Sequence, residues 1–428
     1  MRIAVVDAVY PPEPVVSAQM GRDIAVHLVR LGHQVTVLCP APSRPLGTNY
    51  SAYSGNGKPL VRDEDGVTVV RLPSYASPQS RMLPRMRESW SFGWHVVRYL
   101  TRTPDLDVIY AVTWPMASQV LIMLYALRND IPLIWHIKDV YPESLLSRMP
   151  AALAHFFRPG LVMVDRWLAQ RATHVVALSD GVRDIYMTDR HLPPEAVTTI
   201  RDWIDEGKFD VLPEKSVACR HYGIPNAPFT FLFLGNIGPI AGVELLIESF
   251  NEARPHNAQL VIAGDGTAKA RCQALATRIG APNVHFVSDP DAANVPLLQS
   301  LADVCLLPLR KGAGMSSIPS KLMAYMLSGK PTLASLDKAG DTAKCIEDAA
   351  CGWVGEPEDR AWLVSRFREI PVIPQVELIA MGERGRTYGR INFAKTQGVN
   401  RLTTLIIGMA EGTVRKPHGA RRQVENRG

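Results

Sequence analysis

The sequence predicts an α/β protein made of two doubly wound units, each a parallel sheet wrapped by helices. Three observations carry this prediction. The chain has 428 residues, too many for one ordinary hydrophobic core. Short β-branched apolar runs alternate with segments of helical apolar spacing, the signature of buried parallel strands joined by crossover helices. The alternation lapses once, between about Asp205 and Pro228, and then restarts.

Arg2-Ile3-Ala4-Val5-Val6 opens the chain as a strand buried on both faces. After a Pro-rich loop, Ala18 to Leu31 carries Ile24, Leu28 and Leu31 at helical spacing, and Gly32 ends that helix. Gln34 to Leu38 is the next strand, and further strands are expected at Val67–Leu72, Val108–Ala111, Leu133–Ile137 and His174–Leu178. Beyond the lapse, strands are expected at Phe229–Leu234, Gln259–Ala263, Val284–Val287, Val304–Leu307 and Thr332–Ser335. Gly382 to Met409 is helical in pattern, and the last residues have a disordered composition. Two such units facing each other would place ligands at the carboxyl ends of their strands.

Net charge is +6, of which +4 lies beyond Val414, in Arg415, Lys416, Arg421, Arg422 and Arg427 against Glu425. The body is left at +2, which argues against a nucleic-acid partner. Six scattered cysteines show no metal-ligand spacing and read as reduced core residues of a cytoplasmic protein. The opening apolar run breaks at Asp7, too early for a signal peptide. Val108 to Leu127 lacks charge, but Thr113-Trp114-Pro115 divides it into a buried strand and a buried helix rather than a membrane span.

Four segments carry candidate chemistry. Gly235-Asn236-Ile237-Gly238 follows a strand and precedes a helix, so backbone can approach a phosphate there; a tight packing turn is the alternative. Gly264-Asp265-Gly266 puts small residues at another strand end, where a base or ribose could lie, or where a plain turn is needed. Arg310-Lys311-Gly312-Ala313-Gly314-Met315-Ser316-Ser317-Ile318 leads into Pro319-Ser320-Lys321 at a helix start. The helix amino end, the hydroxyls of Ser316 and Ser320, and Lys321, with Arg310 or Lys311 as additional charge, would form a diphosphate cradle; a solvated loop with incidental charges is the alternative. Lys138, Asp139 and Glu143, after Trp135-His136-Ile137, arrive together at an N-terminal strand end.

The chain resembles glycosyltransferase family 4, and within it the bacterial surface-polysaccharide branch that includes N-acetylfucosamine transferases. The resemblance rests on Tyr10-Pro11-Pro12-Glu13, Gly32-His33-Gln34-Val35-Thr36-Val37, Asp139-Val140-Tyr141-Pro142-Glu143-Ser144, Asp202-Trp203-Ile204-Asp205, Gly235-Asn236-Ile237-Gly238 and Gly264-Asp265-Gly266. Ala302-Asp303-Val304, Pro319-Ser320-Lys321-Leu322, Ser328-Gly329-Lys330-Pro331 and Gly382-Glu383-Arg384-Gly385-Arg386 complete it in order and spacing. It implies a GT-B fold of two facing Rossmann-like domains. Residues 1–204 would bind the acceptor and 205–385 the nucleotide sugar, with 386–412 a helix crossing back to the N-terminal domain and 413–428 a basic disordered tail.

The implied activity is retaining transfer of a hexosyl or N-acetylhexosaminyl group from a nucleotide-diphosphate sugar, expected to be a UDP-sugar, with no metal or other cofactor required. Lys321, Asp139, Glu143 and Lys138 would be the catalytic set. Gly235, Asn236, Gly238, Gly264, Asp265, Gly266, Arg310, Ser316, Pro319, Ser320 and Lys321 would hold the donor. The acceptor would be a glycan or a polyprenyl-linked sugar in surface polysaccharide or glycoconjugate synthesis. An inactive transferase-like partner subunit and a non-hydrolysing nucleotide-sugar epimerase are the alternatives. The pattern departs from the family where its paired glutamates fall at Ser316 and Ala324, where its diphosphate Arg and Lys fall at Asn236 and about Ala241, and where Pro14 to Ala18 replaces a glycine-rich loop.

Such relatives often work on the inner face of the cell membrane. Arg81, Arg85, Arg87, Arg98 and Arg102, interleaved with Met82, Leu83, Trp90, Phe92 and Trp94, offer a candidate anionic-membrane surface, as do residues 151–171 with Phe156, Phe157 and Arg158. For both, an amphipathic helix packed on its own domain is the alternative.

Overall fold

The computed structural model describes residues 1–13, 15–43, 48–75, 82–103, 105–112, 116–146, 149–289, 291–312 and 318–412. Ser316, Arg81, Pro115 and the basic tail lie outside these, as do the side chains of Met82 and Leu83. The chain divides into two compact units, one of residues 1–201 with 399–428, the other of residues 202–398.

The first unit runs β1 (Arg2–Val6), α1 (Val16–Arg30), β2 (Gln34–Pro40), β3 (Leu60–Glu64), β4 (Val67–Leu72), α2 (Met82–Leu100), β5 (Val108–Val112) and α3 (Met116–Arg128). It continues through β6 (Leu133–Ile137), α4 (Tyr141–Leu146), α5 (Ala151–Arg171), β7 (His174–Ala177), α6 (Asp180–Thr188) and β8 (Val197–Thr199). The sheet order is β3-β4-β2-β1-β5-β6-β7-β8, parallel except where β3 pairs antiparallel with β4. Ile3 to Val6, Val108 to Tyr110 and Leu133 to Ile137 are buried because both faces of these central strands are covered. Strand order reverses between β1 and β5, so their carboxyl ends flank the crevice where doubly wound sheets bind ligands.

The second unit contains α7 (Lys215–Tyr222), β9 (Phe229–Leu234), α8 (Val243–Ala253), β10 (Ala258–Ala263), α9 (Lys269–Arg278), β11 (Val284–Val287), α10 (Val295–Ser300) and β12 (Val304–Pro308). Then come α11 (Ser320–Leu327), β13 (Thr332–Ser335), α12 (Asp341–Asp348), β14 (Gly352–Gly355), α13 (Arg360–Glu369), α14 (Gln375–Asn392) and α15 (Lys395–Ala410). Its parallel sheet has the order β11-β10-β9-β12-β13-β14, and its reversal lies between β9 and β12. Phe231, Phe250 and Phe367 pack edge to face in its core.

The end of the chain is two helices rather than one. The Gly-Glu-Arg-Gly-Arg motif sits inside α14, which begins at Gln375, and a break at Phe393-Ala394 precedes α15. At that break Ile204 and Ala394 form a bridge, and Glu206 accepts the amides of Lys395 and Thr396, capping α15. From Val399 onward α15 belongs to the first unit. Among the described residues no helix is long and apolar enough to cross a membrane. The six cysteines are free and buried, as small core residues.

Candidate active site

In the second unit three loops meet at the reversal between β9 and β12. Gly235 donates to the Ala263 carbonyl (2.9 Å), Ile237 to Asp265 (2.8 Å) and Ala268 to Ile237 (2.9 Å), stitching the loop after β9 to the loop after β10. Arg310 donates through its amide to the Ile240 carbonyl (3.1 Å), which joins the loop after β12 to the same cluster. Gly235 and Gly264 have φ of +134° and +137°, and a Cβ at Gly264 would collide with the Gly235 carbonyl. Both are glycines because the two backbones touch here and adopt a left-handed region.

Lys321 enters this cluster from the first turn of α11. Its side chain crosses the Gly235 α-carbon, in space a Cβ there would take, and Nζ lies 4.2 Å from the centre of the Phe233 ring. No carboxylate pairs with it among the described residues, and burial lowers its pKa to about 8. A partly desolvated ammonium with no carboxylate partner among the described residues, in the first turn of a helix, is set up to receive an anion. Pro319 is the N-cap of α11, with no side chain capping the amides, and Ser320 is exposed beside it.

The remaining donor-side candidates divide. Asn236 and Gly238 lie in the stitched loop, with Asn236 against Gly266. Asp265 is taken by Lys269 (2.7 Å); at Glu244 burial pushes the carboxyl up, but the Arg271 hydrogen bond, the backbone and the Arg271 and exposed Arg310 charges together hold it low. Ala324, at the second family glutamate position, is buried against Phe209 and Leu327.

What holds α11 in place was hidden from the sequence. Tyr325 is fully buried, accepts from the Leu234 amide and lies within hydrogen-bonding distance of the Leu234 and Leu306 carbonyls. On the other side α14 lies against α11. Gly382 meets the Gly329 carbonyl, Gly385 meets Cys351, Gly389 meets Met326, and Arg386 donates to the Ser328 carbonyl (3.1 Å). The Gly-Glu-Arg-Gly-Arg motif therefore packs and caps the helix that delivers Lys321.

In the first unit Lys138 is half-buried and its Nζ lies 3.8 Å from the Met20 sulfur, while Asp139 is exposed and makes no hydrogen bond or ion pair among the described residues. Glu143 is engaged: both its oxygens accept from Arg190 Nη2 at 2.8 Å. Arg190 also binds Asp165 through Nε (2.8 Å), and Tyr186 donates to the same carboxylate (2.9 Å). Burial pushes Asp165 up, and the Arg190 hydrogen bond offsets only part of this.

Asp7, the first residue after central strand β1, was missed as a site candidate. It is 3% exposed, accepts from the Val9 amide (3.2 Å) and abuts Gly21. Burial raises it to about 7 against the lowering effect of the Val9 amide and of Lys138. An acid directly after the central strand was the available signal. His136, two strands over on β6, is fully buried with Nδ1 2.5 Å from the Tyr110 hydroxyl, and burial keeps it neutral. A groove of about 470 Å³ lined by Arg171, Thr173 and His191 sits at the amino ends of β6 to β8, the end of a parallel sheet remote from these groups. No group of three metal-ligating side chains occurs among the described residues.

Comparison with known proteins agrees with this architecture. Residues 18–203 match the glycosyl transferase 4-like domain and residues 228–370 match glycosyl transferases group 1. WcaI of Escherichia coli K12, whose name assigns it to colanic acid biosynthesis, is 24% identical over 417 residues, covering 92% of this chain and 97% of WcaI. Two solved structures share the fold. Sucrose-phosphate synthase of Thermosynechococcus elongatus has a TM-score of 0.71 at 16% identity, covering 96% of this chain and 100% of that one. HepE of Anabaena in complex with UDP-glucose has a TM-score of 0.65 at 17% identity, covering 95% and 99%. The two matched domains, in this order on two largely parallel sheets, show that the chain belongs to the family 4 glycosyltransferases and has the GT-B fold.

Proposed function

We propose that this transferase moves a sugar from a UDP-sugar, with retention of configuration, to a glycan or polyprenyl-linked acceptor in surface polysaccharide synthesis. The observation that carries the donor half is Lys321, an ammonium with no carboxylate partner among the described residues, aimed across Gly235 from the first turn of α11. Cleavage of the anomeric carbon–oxygen bond leaves negative charge on the diphosphate, and Lys321 with the α11 amides would stabilise it there. The complex of HepE with UDP-glucose supports the choice of nucleotide, and the name of WcaI supports the pathway.

For the acceptor half, the departing phosphate takes the proton of the attacking hydroxyl in a retaining reaction, so no strong protein base is needed. Asp139 and Lys138 orient that hydroxyl, while Glu143 acts through its bond to Arg190. Donor binding is read by titrating UDP into the native chain and Lys321→Ala. Equal affinities sink the phosphate assignment, and UDP binding with no labelled-sugar transfer to any acceptor would favour an inactive partner subunit instead.

The membrane reading narrows to a smaller surface. Phe92 is buried and Arg85 is paired with Glu88, so neither serves it. Met86, Trp90 and Trp94 remain as an exposed stripe on α2 at four-residue spacing, with both tryptophans 57% exposed and Arg87 and Arg98 alongside. On α5, Phe156 (76% exposed), Phe157 and Met163 stand out with Arg158. These aromatic and cationic side chains suit the inner surface of an anionic bilayer. Flotation with phosphatidylglycerol vesicles at low salt tests this: Trp90→Ala with Trp94→Ala should lose binding, and a native chain that stays unbound refutes it.

A further inference from the structure

Arg190 has a role that the transfer chemistry does not by itself require. Its side chain is 2% exposed and bridges two carboxylates on different helices, Glu143 on α4 and Asp165 on α5, with Tyr186 of α6 completing the set. Asp189 is the other charge nearby, 3.9 Å from Nη1. Burying a guanidinium between carboxylates is seldom the most stable way to join helices, because apolar replacements often do as well. What such a bridge adds is direction: each bond has one geometry.

The helix it holds needs direction. α4 has six residues, too few to be stable alone. Pro142 and Leu146 anchor it on one side by apolar burial, which tolerates sliding and rotation. Glu143 is its charged anchor. Asp139 directly precedes Val140, whose carbonyl accepts the Ser144 amide (3.0 Å) in the opening turn of α4, so the backbone next to Asp139 is tied to the helix that carries Glu143. Rotation of α4 that releases Glu143 would therefore swing Asp139, which is exposed and has no hydrogen bond or ion pair of its own among the described residues.

We propose that Arg190 is a positioning residue that clamps Glu143 to the Asp165–Tyr186 pair and so fixes the Lys138-Asp139 turn for the acceptor. The proposal rests on the assignment of Asp139 to the acceptor hydroxyl. It extends the site to a residue 47 positions from Glu143 in the chain.

The test uses the full chain with Glu143→Gln and Arg190→Lys. Amide exchange over residues 139–146 should lose about tenfold protection in either variant, with β7 amides unchanged. The double variant should lose no more than the larger single loss, because both act through one bond. With labelled UDP-glucose and a bacterial lipid extract as acceptor, KM for the lipid should rise about tenfold while the Kd for UDP stays fixed. If Arg190→Lys fails to fold, Glu143→Gln, at a half-exposed carboxylate, carries the same readouts. Unchanged exchange over 139–146, or exchange that rises equally in β7, overturns the clamp. Asp139→Asn leaves the clamp intact, so normal transfer by that variant would refute the acceptor assignment while the exchange result still judges Arg190.

Discussion

Lys321 occupies the place that a side chain at Gly235 would need: a Cβ built there would run into its ε-carbon and come within 2.8 Å of its ammonium nitrogen. The two residues are 86 positions apart in the chain and behave as one device, the glycine providing the passage that the lysine fills.

Gly235→Ala should accordingly displace Lys321 and strain a backbone at φ +134°. We expect a stability loss of about 1–3 kcal/mol and a weaker hold on UDP. Thermal melts with and without UDP measure both, and an alanine variant that binds UDP normally would disconnect the pair.

Lys321→Met should separate stability from binding. The native ammonium is held near pKa 8, below its unfolded value, so it destabilises the free fold at neutral pH. That penalty fades as pH rises from about 8 towards 10.5, where the folded chain has released the proton and the unfolded chain still keeps it. Methionine should stabilise the free protein by about 1–3 kcal/mol at pH 7 and lower UDP affinity. In the native protein, UDP binding above pH 8 should take up protons, seen by calorimetry in buffers of different ionisation enthalpy.

Asp7→Asn should act with the opposite pH dependence. A carboxyl raised to about 7 costs native stability as pH climbs from about 4 to 7, because the unfolded chain ionises first. Asparagine keeps an oxygen for the Val9 amide. It should raise the melting temperature at pH 8 by the equivalent of up to about 4 kcal/mol and change little at pH 4. Equal shifts at both pH values would contradict the buried-acid account.

Gly382→Ala should destabilise the second unit by about 2–4 kcal/mol through the collision with the Gly329 carbonyl. Because α14 supports α11, UDP affinity should fall with it, as urea titration and UDP binding would show.

The sequence made the buried strands plain, since short β-branched apolar runs such as Leu260-Val261-Ile262-Ala263 fit a strand covered on both faces. It hid β3, whose Leu60-Val61-Arg62-Asp63-Glu64 is largely exposed and polar, β8, which has three residues, and β14, a Trp-Val pair between glycines. The candidate glycines and Lys321 were legible as neighbours because they stand directly after strands or at a helix start. Glu143 was legible as a charge near a strand end, but its commitment to Arg190 was not, because no local pattern links residues that meet only through tertiary packing. Phe233 likewise reads as core until its ring is seen under an ammonium.

The rims of the two sheets bear on how this protein associates with itself. One sheet ends on β3, with exposed Val61, Arg62 and Asp63, and on the three-residue β8; the other ends on β11 and β14, four residues each. Charged or very short borders are poor templates for a visiting strand. Copies of the chain that meet in solution would therefore associate through side chains rather than through main-chain ladders.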